Sequence, residues 1–323
     1  MDRKLSKMEM SKSGESIPPV PAGWILRANK RWLWISLAPA VLVFVLLSAF
    51  PVFNLFGLSL GTVTWEGGKP NYDFVGTANY VHLFTQEEVF WIGVRNTLIF
   101  AVGVVAFQMV LGFAMALAVM RSGSFGRPLL TGIFLLPIVI PPIVIGTMWR
   151  LLMGRQFGFV NTFLGWFGMP GADWLGDPSL ALGSVMFVDI WHWTPFVFLL
   201  LLAGLESLDG EVLEAARIDL RNFWQELRYI LLPMMAPTIF ITLMFRIILS
   251  FKVFDEVFLL TSGGPGTSTE VINLTIYQVF FKQDRVGDGA AMSVVTLVAV
   301  TLLIVGTNLA IRYRRNRKSE SAQ

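Results

Sequence analysis

The sequence predicts an all-α membrane protein with six transmembrane helices and both termini in the cytoplasm. Three observations lead to this prediction. First, the 323-residue chain is 54% hydrophobic and only 15% charged, whereas soluble domains carry about 25% charged residues. Second, six segments have the length and apolarity needed to cross a bilayer, about 20 residues each. Third, arginine and lysine concentrate in alternate connections, as they do in cytoplasmic loops.

The six predicted spans are almost free of charge. They cover 33–60, 96–120, 128–149, 178–205, 229–251 and 289–311. Asp189 in the fourth and Arg246 in the fifth are their only charged residues. The first is too long for a cleaved signal peptide and follows a polar leader. Its Pro39 and Pro51 are compatible with a membrane helix that neighbouring helices support.

Basic residues determine the predicted orientation. Most of the 25 arginine and lysine residues lie in the leader, the tail and the loops 121–127 and 206–228. The positive-inside rule therefore places both termini in the cytoplasm. We predict a disordered cytoplasmic leader at 1–32. A basic cytoplasmic tail at 312–323 would anchor the topology beside anionic headgroups.

Residue composition excludes several classes of active site. The chain has no cysteine and two histidines, which excludes thiolate chemistry and argues against a histidine-rich metal site. The stretch Gly263 to Ser268 is rich in glycine but lacks the lysine of a phosphate-binding loop. We therefore predict neither a catalytic residue, a metal site, a cofactor nor an ATPase in this chain.

The loop 206–233 has the pattern of a short helix between two spans. Asp209-Gly210 indicates a turn, and Glu211 and Glu214 suit the first turn of a helix. Ala215 and Ala216 form helix well and allow another surface to approach closely. Amphipathicity alone leaves two interpretations open, a protein contact and a helix lying on headgroups.

Several motifs together resemble the binding-protein-dependent ABC importer permeases, in particular the carbohydrate branch related to the large maltose-transporter membrane subunit. The first is Glu214-Ala215-Ala216-X-X-Asp219, followed by Leu232-Pro233 and Pro237. The others occur in the expected order: Phe74-Val75-Gly76-X-X-Asn79-Tyr80, Asn96-Thr97, Pro137 to Pro142, Asp173 to Pro178, Trp191-X-Trp193-Thr194-Pro195-Phe196 and Leu260 to Gly266.

The resemblance implies a type I ABC importer permease fold with a permease domain at 92–309, in the bacterial inner membrane. It implies a second homologous permease, an ATPase homodimer that binds ATP and Mg, and a periplasmic or extracellular sugar-binding protein. The cargo would be a carbohydrate, such as an oligosaccharide, a polyol or a sugar derivative, carried by alternating access. Nothing indicates nucleic acid.

The same resemblance assigns the ATPase contact to five residues of the loop 206–233. They are Glu214, Ala215, Ala216, Asp219 and Leu220. Leu220 departs from the family pattern, which has glycine directly after the aspartate. Because leucine disfavours positive φ, the turn between the two coupling helices should be more helical here.

Two helix faces are predicted to line the translocation path. An ionisable group in hydrocarbon is costly, so Asp189 and Arg246 should face the bundle interior or water. Helical spacing places one set of residues on each face: Asp189, His192, Trp193 and Phe196 on the fourth span, and Arg246, Leu249, Ser250 and Val253 on the fifth. These positions also match the sugar site of the maltose-transporter subunit, which has uncharged polar groups where this chain has Asp189 and Arg246.

Other interpretations remain open at this point. Asp189 and Arg246 could form a buried ion pair that only sets helix register. Lys252, Asp255 and Glu256 are expected nearer the outer end, as a solvated gate or structural pair. Residues 263–269, which Gly-Gly-Pro-Gly keeps from being helical, could contact the binding protein or simply return the chain to the sixth span. A secondary transporter would use the ionisable residues for ion coupling, although no inverted repeat is visible.

Overall fold

The computed structural model describes residues 22–210 and 222–320. The chain divides into two compact units, one ending at Asn54 and one beginning at Leu55. The first unit contains α1 (Ala22–Phe44), the wider π-helical turn Val45–Ala49 and the start of α2 (Phe50–Ser59). The π turn directly precedes Pro51, which lacks the N–H that would bond to the Leu47 carbonyl. Because α1 begins at Ala22, residues 22–32 are helical, and the predicted disorder is wrong for that part of the leader.

The second unit begins with the end of α2 and a hairpin that the sequence analysis missed. β1 (Gly61–Glu66) pairs antiparallel with β2 (Lys69–Phe74). Gly67 and Gly68 connect the strands with φ of 59° and 79°, the positive values that a type I′ turn requires. Two glycines between β-branched and aromatic residues were the available signal. Elsewhere in the described residues the regular secondary structure is helical, so the all-α class holds for the membrane part.

The remaining helices follow in chain order. They are α3 (Ala78–Thr85), α4 (Glu88–Arg121), α5 (Gly126–Val139), α6 (Pro142–Leu152), α7 (Phe159–Trp166), α8 (Ala181–Glu206), α9 (Phe223–Glu226), α10 (Leu232–Ser250), α11 (Asp255–Leu260), α12 (Ile272–Tyr277) and α13 (Val286–Glu320). π turns at Leu227–Leu231 and Gln278–Lys282 precede α10 and follow α12.

In the described part of the chain, five helical segments are long and apolar enough to span a membrane, or six if the bent α5–α6 pair counts as one span. The predicted third span, 128–149, is therefore not a straight helix: α5 and α6 meet at 92°. Two successive prolines cause the break, because Pro141 pushes Ile140 into extended backbone (ψ 128°) and Pro142 does the same to Pro141 (ψ 142°).

The helices α4 and α8, which pack along much of their length, form the centre of the second unit. Gly112 of α4 lies so close to α8 that a Cβ there would be 2.8 Å from Val197 Cγ1 and 3.0 Å from the Phe198 nitrogen. Small residues permit this kind of approach between membrane helices. Phe100 and Val104 of α4 pack with Val185 and Val188 of α8 in one buried cluster. This contact positions the polar groups described next.

Candidate functional site

A buried polar network joins α4, α8 and α10. The Arg246 guanidinium of α10 donates to both carboxylate oxygens of Asp189 on α8 and, through Nε, to Gln108 Oε1 on α4. Gln108 Nε2 donates in turn to the Asp189 carbonyl at 2.9 Å. Asp189, Arg246 and Gln108 are 2%, 1% and 0% exposed. Each charge therefore has its partner inside the protein, as buried charges require.

A second cluster lies one helical turn further along α8. Glu256 Oε1 accepts from Trp193 Nε1 at 3.1 Å and lies 3.2 Å from His192 Nδ1. Glu256 belongs to the first turn of α11 and is buried, whereas Lys252 and Asp255 are exposed. The expectation that these three form one solvated gate or pair is thus wrong for Glu256: its hydrogen bonds hold it inside.

Trp193 links the two clusters. The Arg246 guanidinium carbon lies 5.6 Å from the centre of the Trp193 ring, within the range of a cation–π contact. Trp193 and Phe196 meet edge to face at 6.4 Å. Both are only partly buried, so these rings are the accessible part of an otherwise enclosed site.

The structure brings together the polar members of the two predicted faces. Asp189 and Arg246 contact each other, and His192 and Trp193 share Glu256. Ser250 is buried and donates to the Ile247 carbonyl of its own helix at 2.8 Å. Val253 belongs to the hydrophobic core, and Leu249 is partly buried.

Gln108 and Glu256 were missed as members of the site. Gln108 had a detectable signal, because it is an amide in the middle of the otherwise apolar second span. Glu256 had none, since only the folding back of α11 after α10 brings it to α8.

Across the outer connection 261–271, α4 provides two anchors. Asn96 Nδ2 donates to the carbonyls of Thr267 and Glu270 at 3.0 and 2.9 Å. Thr97 Oγ1 accepts the Ile272 N–H at 3.0 Å. The segment is non-helical, as predicted. Its path is thus set by side chains of the second span.

The predicted ATPase contact lies outside the described residues: Glu214, Ala215, Ala216, Asp219 and Leu220 all fall in 211–221. After residue 221, the chain contacts the bundle again at Phe223, whose ring centre lies 3.9 Å from the Arg121 guanidinium carbon. Arg121 also pairs with Glu226 at 3.1 Å. The end of α4 therefore holds the chain where it leaves the loop.

Comparison with known proteins now defines the class. Residues 108–319 match the model of the family described as binding-protein-dependent transport system inner membrane component. The chain belongs to this family, and it is a multi-pass inner-membrane transport permease.

Individual relatives match over most of their length. The chain is 37% identical to a probable ABC transporter permease protein, y4oQ, of Sinorhizobium fredii, over 87% of this chain and 92% of the relative. It is 34% identical to the trehalose/maltose transport system permease protein MalF of Thermococcus litoralis, over 87% and 93% of the two chains. A solved bacterial alginate ABC transporter, in complex with a periplasmic protein bound to alginate pentasaccharide, has the same fold. That match has a TM-score of 0.78 at 24% identity and covers 89% of this chain and 96% of the other.

Proposed function

We propose that this chain is a permease subunit of an ABC importer for a carbohydrate and forms half of the translocation path. Membership of the binding-protein-dependent family supports this most strongly and argues against a secondary transporter. The relative from Thermococcus litoralis, named for trehalose and maltose transport, supports a sugar as cargo. The partners of the proposal are a second, homologous permease, a periplasmic or extracellular sugar-binding protein and a separate ATPase homodimer. That ATPase binds ATP and Mg, and this chain holds no cofactor.

In this proposal the residues on α8 and α10 have two different roles. Trp193 and Phe196 offer partly accessible aromatic faces, which suit the C–H faces of a sugar ring. Glu256 and His192 supply hydrogen-bonding groups beside them. Asp189 and Arg246 satisfy each other, so they act by holding α8 and α10 in register. Leu249 and Ser250 complete the α10 face, and Val253 lies just beyond the end of this helix.

Transport by the reconstituted complex tests the proposal. We expect Trp193→Ala to lower ATP-dependent uptake of labelled sugar into proteoliposomes at least tenfold, while assembly and basal ATP hydrolysis persist. Phe107→Ala is the matched control, since that ring is on α4 and 61% exposed. A panel of sugars, chosen by affinity for the binding protein, identifies the cargo. Normal uptake by the Trp193→Ala complex would show that this aromatic face does not line the translocation path.

A further inference from the structure

An apolar groove lies between the ends of α6 and α8 and the short helix α7. Its volume is about 590 Å³, within the range of ligand pockets. Trp149 of α6, Met153 directly after it, Phe163 of α7, and Gly183 and Phe187 of α8 contribute to its walls. On the orientation predicted from the basic residues, these ends face the side of the membrane opposite the termini.

Most polar groups in the walls are already used inside the protein; the exception is Trp149 Nε1, which is buried and has no hydrogen-bond partner among the described residues. Ser184 Oγ donates to the Trp174 carbonyl at 2.8 Å, and Trp174 Nε1 donates to Asn161 Oδ1 at 2.8 Å. Ser179 Oγ donates to Asp177 at 2.6 Å. A sugar or peptide in the groove would therefore lose most of its hydrogen bonds to water without replacement. An aliphatic chain loses none, so the lining favours a hydrocarbon occupant.

The surroundings of the groove match the boundary of a bilayer. Three aromatic side chains of α7 are exposed: Phe159, Phe163 and Trp166 at 56%, 44% and 70%. Aromatic residues of this kind concentrate where hydrocarbon meets headgroups. An eight-residue helix with this surface is suited to lying along that boundary rather than crossing the membrane.

Charges of both signs lie at the rim. The Arg155 side chain is 76% exposed, and its Nη1 lies 3.6 Å from Asp173 Oδ2. Asp173 directly precedes the groove residue Trp174 in the sequence. Asp177 accepts hydrogen bonds from the Ser179 hydroxyl and backbone, and these lower the pKa of Asp177. A guanidinium beside partly exposed carboxylates complements the phosphate and ammonium of a zwitterionic headgroup.

We propose that this groove binds the acyl chain of a phospholipid from the outer leaflet, with its zwitterionic headgroup at Arg155 and Asp177. The lipid fills the space between the end of α6, α7 and the start of α8 and couples the position of α7 to the membrane. This site is separate from the proposed sugar path and does not depend on the cargo.

Glycine substitutions provide a clean test. A Cβ at Gly183 meets no atom within 4 Å, so a side chain can start there in open space, and Gly183→Leu is chosen to occupy the groove. Gly132→Leu is the matched control: Gly132 is also an exposed helical glycine with nothing within 4 Å, but it lies on α5 outside the groove. The probe is dioleoyl-phosphatidylethanolamine added to the purified importer complex, and native mass spectrometry counts the bound lipids.

We expect wild type and Gly132→Leu to retain one more phosphatidylethanolamine molecule than Gly183→Leu. Equal lipid counts in all three proteins would overturn the proposal. Loss of the second permease from the Gly183→Leu complex, without loss of lipid, would also overturn it and assign the groove to a protein partner.

A second measurement detects the lipid without a substitution that fills the groove. In nanodiscs of phosphatidylethanolamine with brominated acyl chains, bromine should quench the Trp174 fluorescence. The quenched fraction should therefore fall in Trp174→Phe but not in Trp65→Phe, because Trp65 lies on the hairpin, 59% exposed. An unchanged fraction in Trp174→Phe would contradict lipid in the groove.

Discussion

At the scale of single residues, the decisive feature is that Arg246 and Asp189, both buried in the bundle, neutralise each other. Arg246 has two partners, Asp189 and Gln108, and all three are buried. Removing one partner of such a pair costs more than removing both, because the remaining charge stays buried without compensation. The pair therefore stabilises the arrangement of α8 and α10 only as a unit.

A double-mutant cycle tests this arrangement. Arg246→Met should leave Asp189 uncompensated and lower the free energy of unfolding by about 3–5 kcal/mol. Asp189→Asn in the Arg246→Met background should restore a large part of that loss. Thermal unfolding of the purified complex measures the cycle, with Arg150→Met, an exposed arginine on α6, as control. Additive losses in the double variant would show that the two side chains do not act as a pair.

At the scale of elements, two polar side chains of α4 hold the outer connection to the bundle. The Asn96-Thr97 pair contacts backbone atoms more than 170 positions later in the chain. The resemblance singled out these residues and the turn that they hold, but their contact was visible only in the structure. Backbone groups buried away from water need such partners.

Thr97→Val tests the contact between α4 and the connection 261–271. The change keeps the shape of the side chain but removes the acceptor of the buried Ile272 N–H, which should cost about 1–3 kcal/mol of stability. Because the connection 261–271 loosens, stimulation of ATP hydrolysis by the sugar-loaded binding protein should fall while basal hydrolysis stays. Thr301→Val is the control, since Thr301 is exposed and bonds only to its own helix. Full stimulation and unchanged stability in Thr97→Val would refute this role.

At the scale of the whole molecule, the proposed ATP-driven import requires the membrane helices to respond to a separate ATPase. The predicted contact, Glu214 to Leu220, lies outside the described residues and stays a prediction. The chain that follows this loop is attached to α4, because Phe223 and Glu226 both contact Arg121. Movement of the loop would therefore reach α4 directly.

Charge changes in the loop test the coupling. Glu214→Lys and Ala216→Asp should each uncouple the complex, because one reverses a charge and the other adds a charged group where a close contact is expected. Sugar-stimulated ATP hydrolysis and uptake should fall, with normal levels of folded membrane complex. Lys69→Glu, a charge reversal on the outer hairpin, is the control. Unchanged hydrolysis and uptake in both loop variants would favour a helix that merely lies on the headgroups.

Much of this protein was predictable from sequence because the relevant forces are local. Hydrocarbon demands long apolar helices with internally bonded backbone, so five spans and the apolar content of the sixth could be located by composition alone. The spacing of Asp189, His192 and Trp193 placed them on one face of a helix, and the cost of a buried charge placed Asp189 and Arg246 inside.

Only the tertiary structure decided how these elements meet. The prolines at 141 and 142 cause the bend between α5 and α6, but packing determines its angle. The hairpin depends on the pairing of two strands, which amino-acid composition does not specify. The partner of Asp189, the participation of Gln108 and the inward position of Glu256 depend on contacts between helices far apart in sequence. Sequence therefore determined which groups must be buried, whereas packing determined which buried group satisfies which, because neutralising a charge requires a partner at a particular distance.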